Sequence, residues 1–176
     1  MTKLEIEALN EKNNIIKNMN SINLSTVCAK NIPNSSYAPS VIDDNGDFYI
    51  YVSELSKHTK NLLDNPKVSI MLIEDEGCSE NIFARKRFTI DAYANLINRG
   101  TDNWVDKIAL LELKFGQSIK FLKDMLDFHL FQLVPKKGLL VYGFGRAFNF
   151  VGKNLNQIKH LNESGHKISQ NKINKN

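Results

Sequence analysis

Residues 127–150, DFHLFQLVPKKGLLVYGFGRAFNF, narrow the choice of fold more than any other stretch of the chain. Over 128–133 the side chains alternate. Phe128, Leu130 and Gln132 point one way and His129, Phe131 and Leu133 the other, which is the period of a strand. Pro135-Lys136-Lys137-Gly138 reads as a connection, with Pro fixing φ and Gly supplying a positive φ. From Leu139 the second run is apolar throughout, as in a strand buried on both faces or closing a barrel. Gly143 and Gly145 interrupt it, and glycine inside a strand predicts a sharp bend or a backbone passing close by. The stretch is expected to be an antiparallel pair, opened by Asp127 and followed by Arg146. That is the profile of a barrel strand lining something.

The rest of the chain supplies partners for that pair. Residues 3–19 carry a thin helical stripe of Leu4, Ala8, Ile15 and Ile16, suited to covering a barrel mouth or a partner subunit. A strand is expected over 22–30, continued beyond a turn at 31–35 by 36–39, where Pro39 ends ladder donation. Asp43-Asp44-Asn45-Gly46 predicts a type I′ hairpin turn leading into a strand at 48–53. Ser53 or Ser56 caps a helix over 55–64, which stops before Asn65-Pro66 because a residue preceding proline avoids helical dihedrals. A strand at 67–74, an acidic loop at 75–81 and a strand at 88–97 follow. In the last, Phe88, Ile90, Ala92, Ala94 and Leu96 face inward. Asp102 caps a helix to 114, and Gly116 separates it from a short helix ending at 125. Six strands with helices between them describe a small antiparallel β-barrel of the α+β class, whose open edge a dimer would bury.

Charge narrows the partners. The formal net charge is +4. Lys153, Lys159, Lys167, Lys172 and Lys175 against Glu163 account for it, so the body of the chain is close to neutral. No aromatics are interleaved with those lysines, and nucleic acid is not an expected partner. Cys28 and Cys78 are far apart and in no metal spacing, as in a reduced, cytoplasmic protein. The start, MTKLEIEALNEKNN, is too charged for a signal peptide, and no apolar run is long enough to span a membrane. The expected organisation is an N-terminal helix at 1–20, a barrel domain at 21–152 and a basic C-terminal tail at 153–176.

Four strings go beyond generic patterning: SSYAP (35–39), FYIYVSELSKHTKNLLDNPKVSIMLIEDE (48–76), IFARKRFT (82–89) and DFHLFQLVPKKGLLVYGFGRAF (127–148). They closely resemble the haem-utilisation proteins of the HugZ/HutZ type, within the pyridoxamine-5′-phosphate-oxidase-like, FMN-binding split β-barrels. The resemblance covers nearly the whole chain. It implies an antiparallel split β-barrel with flanking helices, a homodimer, and haem rather than FMN in a cleft between subunits. It also implies an iron-ligating histidine on the C-terminal segment, helped by an acidic residue of the other subunit. The implied activity is oxidative degradation of haem to a biliverdin-type tetrapyrrole with release of iron; the electron donor is not indicated. A flavin-dependent oxidoreductase would use the same barrel for FMN, and a haem carrier would use the same pocket.

Carried over residue by residue, His166 after Gly165 is the implied iron ligand and Asp127 the implied acidic partner, the two forming the catalytic pair. Imidazole binds haem iron well, and a carboxylate accepting its Nδ1–H fixes the tautomer and raises basicity. His160 is the reserve ligand. His58 matches a characteristic family histidine and reads as a structural group bonded across the interface; His129 has no supporting context. Arg85, Lys86 and Arg87 form a basic cluster before a strand. They and Arg146 are candidates for pairing with haem propionates or a flavin phosphate, against the plain reading of a solvated strand end. Gly143-x-Gly145 lacks the third glycine and the helix of a nucleotide-binding fingerprint.

Overall fold

The computed structural model describes residues 1–161. Among them nine strands form one antiparallel sheet: β1 (Ser21–Val27), β2 (Pro33–Pro39), β3 (Val41–Ile42), β4 (Phe48–Ser53), β5 (Lys67–Ile73), β6 (Arg87–Ile97), β7 (Phe128–Val141), β8 (Ala147–Val151) and β9 (Gln157–His160). The helices are α1 (Lys3–Lys17), α2 (Lys57–Asp64), α3 (Asp102–Phe115) and α4 (Gln117–Leu122). The order in the sheet is β2-β1-β5-β6-β7-β4-β3, with β8 on β7 and β9 on β8.

β7 organises this sheet. One edge pairs with the full run of β6, from Leu130 to Val141. The other edge is shared: Phe128 to Leu133 pair with β4, and Gly138 to Val141 pair with β8. β4 and β8 diverge over 134–137, and that fork is the split of the barrel. The expected α+β class, an antiparallel split β-barrel with flanking helices, is borne out.

The reading of 135–138 as a turn is corrected. The strand runs straight through it, with a β-bulge: Asp91 faces Lys137 and Ala92 faces Pro135, leaving Lys136 as the extra residue. A bulge tolerates proline's missing N–H, because pairing lapses there anyway. Gly138 serves close approach rather than positive φ. A Cβ on it would lie 2.5 Å from Cε2 of Phe88. The chain reverses at Gly143–Arg146, where Tyr142 N donates to Arg146 O at 3.1 Å and Gly145 takes φ +69. The bend expected at these glycines is therefore the real hairpin.

Burial on both faces belongs to β4 rather than to the second half of β7. Phe48, Ile50 and Val52 enter the barrel core with Leu24, Ile70, Phe88, Leu133, Phe148 and Phe150. Tyr49 and Tyr51 face a second core formed with Leu130 and Ile97 against Ile108 and Leu111 of α3 and Ile119 of α4. Each fully buried ring contributes roughly 1.5–3 kcal/mol. The second core also explains a correction in β6: Leu96 is 45% exposed and Ile97 only 8%, because burial changes face where α3 and α4 pack.

Local chemistry explains smaller departures. The Asp43–Gly46 turn is not type I′, because only Gly46 has positive φ (+80); Asp43 N donates to Asp47 O, and Asp43 Oδ1 accepts from Asn45 N and Asp47 N. Asp43 Oδ2 also accepts from Lys107 Nζ at 2.8 Å and Tyr49 Oη at 2.9 Å, tying the turn to α3. Burial and that carboxylate push the Tyr49 hydroxyl up to about 12. Thr101, not Asp102, caps α3 by accepting from Trp104 N. β9 pairs with β8, so the sheet reaches into the stretch that composition sets apart as tail.

Candidate functional site

Asp127 stands where α4 gives way to β7, beside the end of β4. Register places Ser53 opposite Phe128, and this brings two groups of the β4 end onto Asp127. Ser53 Oγ donates to Asp127 Oδ2 at 2.6 Å, and Glu54 N donates to Asp127 O at 2.9 Å. Ser53 Oγ also accepts from Leu55 N, and Ser53 O accepts from Thr59 Oγ1 at 2.6 Å, fastening α2 to the same corner. Oδ1 of Asp127 has no hydrogen-bond partner among the described residues. Leu55 and Leu126 are 91% and 83% exposed beside it. The result is a carboxylate with one oxygen fixed and one offered, set in an apolar surround.

His58, in the first turn of α2, is only 7% exposed, and its Nε2 has no partner among the described residues. Burial without compensation lowers its pKa, so the imidazole is held neutral. His129 has a context that the sequence did not disclose: Nε2 lies 2.5 Å from Glu54 Oε1. Ser53 and Glu54 were missed because only the β4–β7 register brings them to Asp127, and the same register brings Glu54 to His129.

The cations lie elsewhere. Arg87 faces Val141, and Val141 faces Ala147, so Arg85, Lys86, Arg87 and Arg146 gather at the opposite end of β7. Arg85 donates to Glu74 O and Glu76 Oε1, and Lys86 to Glu11 Oε2 at 2.9 Å. Arg146 pairs with Glu7. Glu7 and Glu11 are one turn apart on α1, so one helix face engages both. Lys86 lines an acid-rich cleft of about 620 Å³ with Glu11, Glu74 and Asp75. Among the described residues, Arg87 is the member of this group with no carboxylate partner. The four cations are thus brought together, but apart from Asp127 and His58.

His160 is committed within the sheet. Its ring stacks on Phe148 at 4.4 Å, and Nε2 meets Gly145 O at 3.0 Å. Leu161 N then donates to Ala147 O, so the chain leaves the described sheet at the cationic end. His166 lies outside the described residues.

Haem is an apolar plate with two carboxylates and an iron that takes imidazole. Exposed leucines around an acceptor at one end, and a guanidinium without a carboxylate partner at the other, fit that chemistry. The groups of a single subunit stand apart along β7.

Residues 9–142 match the family described as pyridoxamine 5′-phosphate oxidase. Over 149 residues the chain is 43% identical to heme oxygenase HutZ of Vibrio cholerae, covering 85% of this chain and 84% of that protein. A crystal structure of HutZ from Vibrio cholerae, there called a haem storage protein, aligns with TM-score 0.71 and 38% identity over 81% of this chain and 96% of its own. ChuZ of Campylobacter jejuni aligns with TM-score 0.82 and 33% identity over 96% of this chain and 68% of its own.

Proposed function

The chain belongs to the pyridoxamine 5′-phosphate oxidase family and, within it, to the HutZ-type haem proteins; from that premise we propose that it binds haem between two subunits and degrades it oxidatively to a biliverdin-type tetrapyrrole, releasing iron. The identity to heme oxygenase HutZ over most of both chains carries this reading. Haem, when bound, is the substrate and supplies the redox-active iron. The chain's own residues bind and orient it and hold the proton of its ligand. His166 is the iron ligand. Asp127 accepts the imidazole Nδ1–H, which fixes the tautomer and strengthens the ligand. Arg87 takes a propionate.

Chain length supports a site shared between subunits. Five peptide units separate Leu161 from His166, a reach of at most ~18 Å. Leu161 leaves at the Val141 end of β7, whereas Asp127 precedes Phe128, and fourteen residues of strand span roughly 40 Å between them. That reach is short against the length of the strand, which supports a shared site in which Asp127 faces His166 of the partner subunit in a homodimer.

The test is a haemin titration of the wild type and His166→Ala. A sharp Soret band at equimolar haem, lost or shifted in the variant, is the expected result. Ascorbate under air with catalase present then bleaches the band if haem is degraded. A stable band instead supports carriage, the reading favoured by the haem storage description of HutZ. A protein that purifies yellow with FMN and forms no Soret complex is a flavin oxidoreductase of the wider family, and the haem reading is then wrong.

A further inference from the structure

One side chain gathers the carbonyls of the link between α4 and β7, which carries Asp127. Arg99 sits in the turn between β6 and α3 and directs its guanidinium at that link. Nη1 donates to the Lys123 carbonyl. Nη2 donates to Met125 O at 2.6 Å, to Phe128 O at 3.3 Å and to the Tyr51 hydroxyl at 2.7 Å. The cation also lies 5.0 Å over the Trp104 ring. Carbonyls past a helix C-terminus have no intrahelical partner, and a planar fork of five donors suits several at once. An ammonium at the same place would be a point charge without that fork.

Met125 and Phe128 bracket Asp127, so bonds to their carbonyls hold the residue from both sides in sequence. Ser53 and Glu54 of the β4 end hold it from across the sheet. Leu126 and Asp124 are exposed and anchor nothing. We propose that Arg99, backed by Tyr51, is a positioning residue that sets where the Asp127 carboxylate stands and hence the hydrogen bond offered to the iron-ligating histidine. This rests on the haem reading above. Arg99 does not itself touch haem. Its effect passes through Asp127, and that distinguishes it from a residue that merely holds the fold.

The experiment is haemin titration, with Soret position and affinity recorded, for wild type, Arg99→Gln, Asp127→Asn, the double variant and Tyr51→Phe, alongside thermal unfolding of each. Arg99→Gln is expected to shift the Soret band and weaken binding on the order of tenfold, as a lost supporting hydrogen bond does. Asp127→Asn should match it, and the double variant should be no weaker than either single by more than about twofold. Tyr51→Phe removes two bonds of the clasp, the one accepted from Arg99 and the one donated to Lys123 O, while keeping the ring in the second core. It should move the band the same way by less, and it carries the test if Arg99→Gln does not fold. A folded Arg99→Gln or, failing that, a Tyr51→Phe with wild-type Soret and affinity overturns the proposal. So do effects of Arg99→Gln and Asp127→Asn that multiply. A wild type that forms no Soret complex overturns the haem reading itself, and this proposal with it.

Discussion

The two ends of β7 are secured by different physics. Around Gly138 to Tyr142 the strand is held by packing. Phe88 and Phe150 meet edge to face at 5.7 Å, Tyr142 and Phe148 stack at 5.8 Å, and Gly138 leaves room for the Phe88 ring. At the Phe128 end the strand is held by directed bonds from Ser53, Glu54 and Arg99, with exposed leucines alongside. Packing is non-directional and intolerant of changed volume. Hydrogen bonds fix the aim of one group but each adds only about 1 kcal/mol net. Leu130, Phe131 and Leu133 are buried too, so packing secures the strand up to its first residues, and the Phe128 end adds the directed bonds that present a carboxylate.

Substitutions can break that contrast. Phe148→Ala deletes a fully buried ring and should cost about 3–5 kcal/mol in urea unfolding; a loss below about 1 would remove the packed end as the anchor. Gly138→Ala brings a methyl against Phe88 and should cost about 1–3 kcal/mol, read the same way. Asp127→Asn removes part of one exchange with Ser53 and should cost under ~1 kcal/mol, while altering haemin binding. A loss as large as that of Gly138→Ala would erase the distinction between the ends. The smallest expected effect sharpens it. His58 is buried neutral with a lowered pKa, so below the unfolded value of about 6.5 the unfolded chain takes up a proton that the folded one resists. The stability this group contributes is present above that value and is lost as the pH falls through it. Melting temperatures at about pH 7.5 and about pH 5.5 should differ less in His58→Gln than in wild type; an unchanged difference would remove His58 as a source of acid sensitivity.

Much of the barrel was legible because its signals are short-range. The alternation from Phe88 to Ala94 gave β6, Pro66 stopped α2, and Gly143 and Gly145 marked the reversal after β7. Of the site, Asp127 was legible through its string, and the engagement of Arg85, Lys86 and Arg146 by carboxylates was not. Glu7, Glu11 and Arg99 are ordinary surface residues by type, and only the docking of α1 and the turn after β6 gives them partners. His160 was weighed as a spare ligand because nothing local showed Phe148 beneath its ring.

The sequence by itself determined the strand set, the helix stops and the family, since side-chain period, proline and glycine act within a few residues and the four strings are long. The tertiary structure alone decided that 135–138 is strand, that β4 is buried on both faces and that Asp127 stands apart from the cations. Turn propensity is a local preference of about a kcal/mol, and β7 has pairing with β6 from Leu130 to Val141 to set against it. The reason for Gly138 is a ring on β6, and the reason for the presented carboxylate is a register with β4. Both are contacts between residues far apart in the chain, which no local pattern encodes.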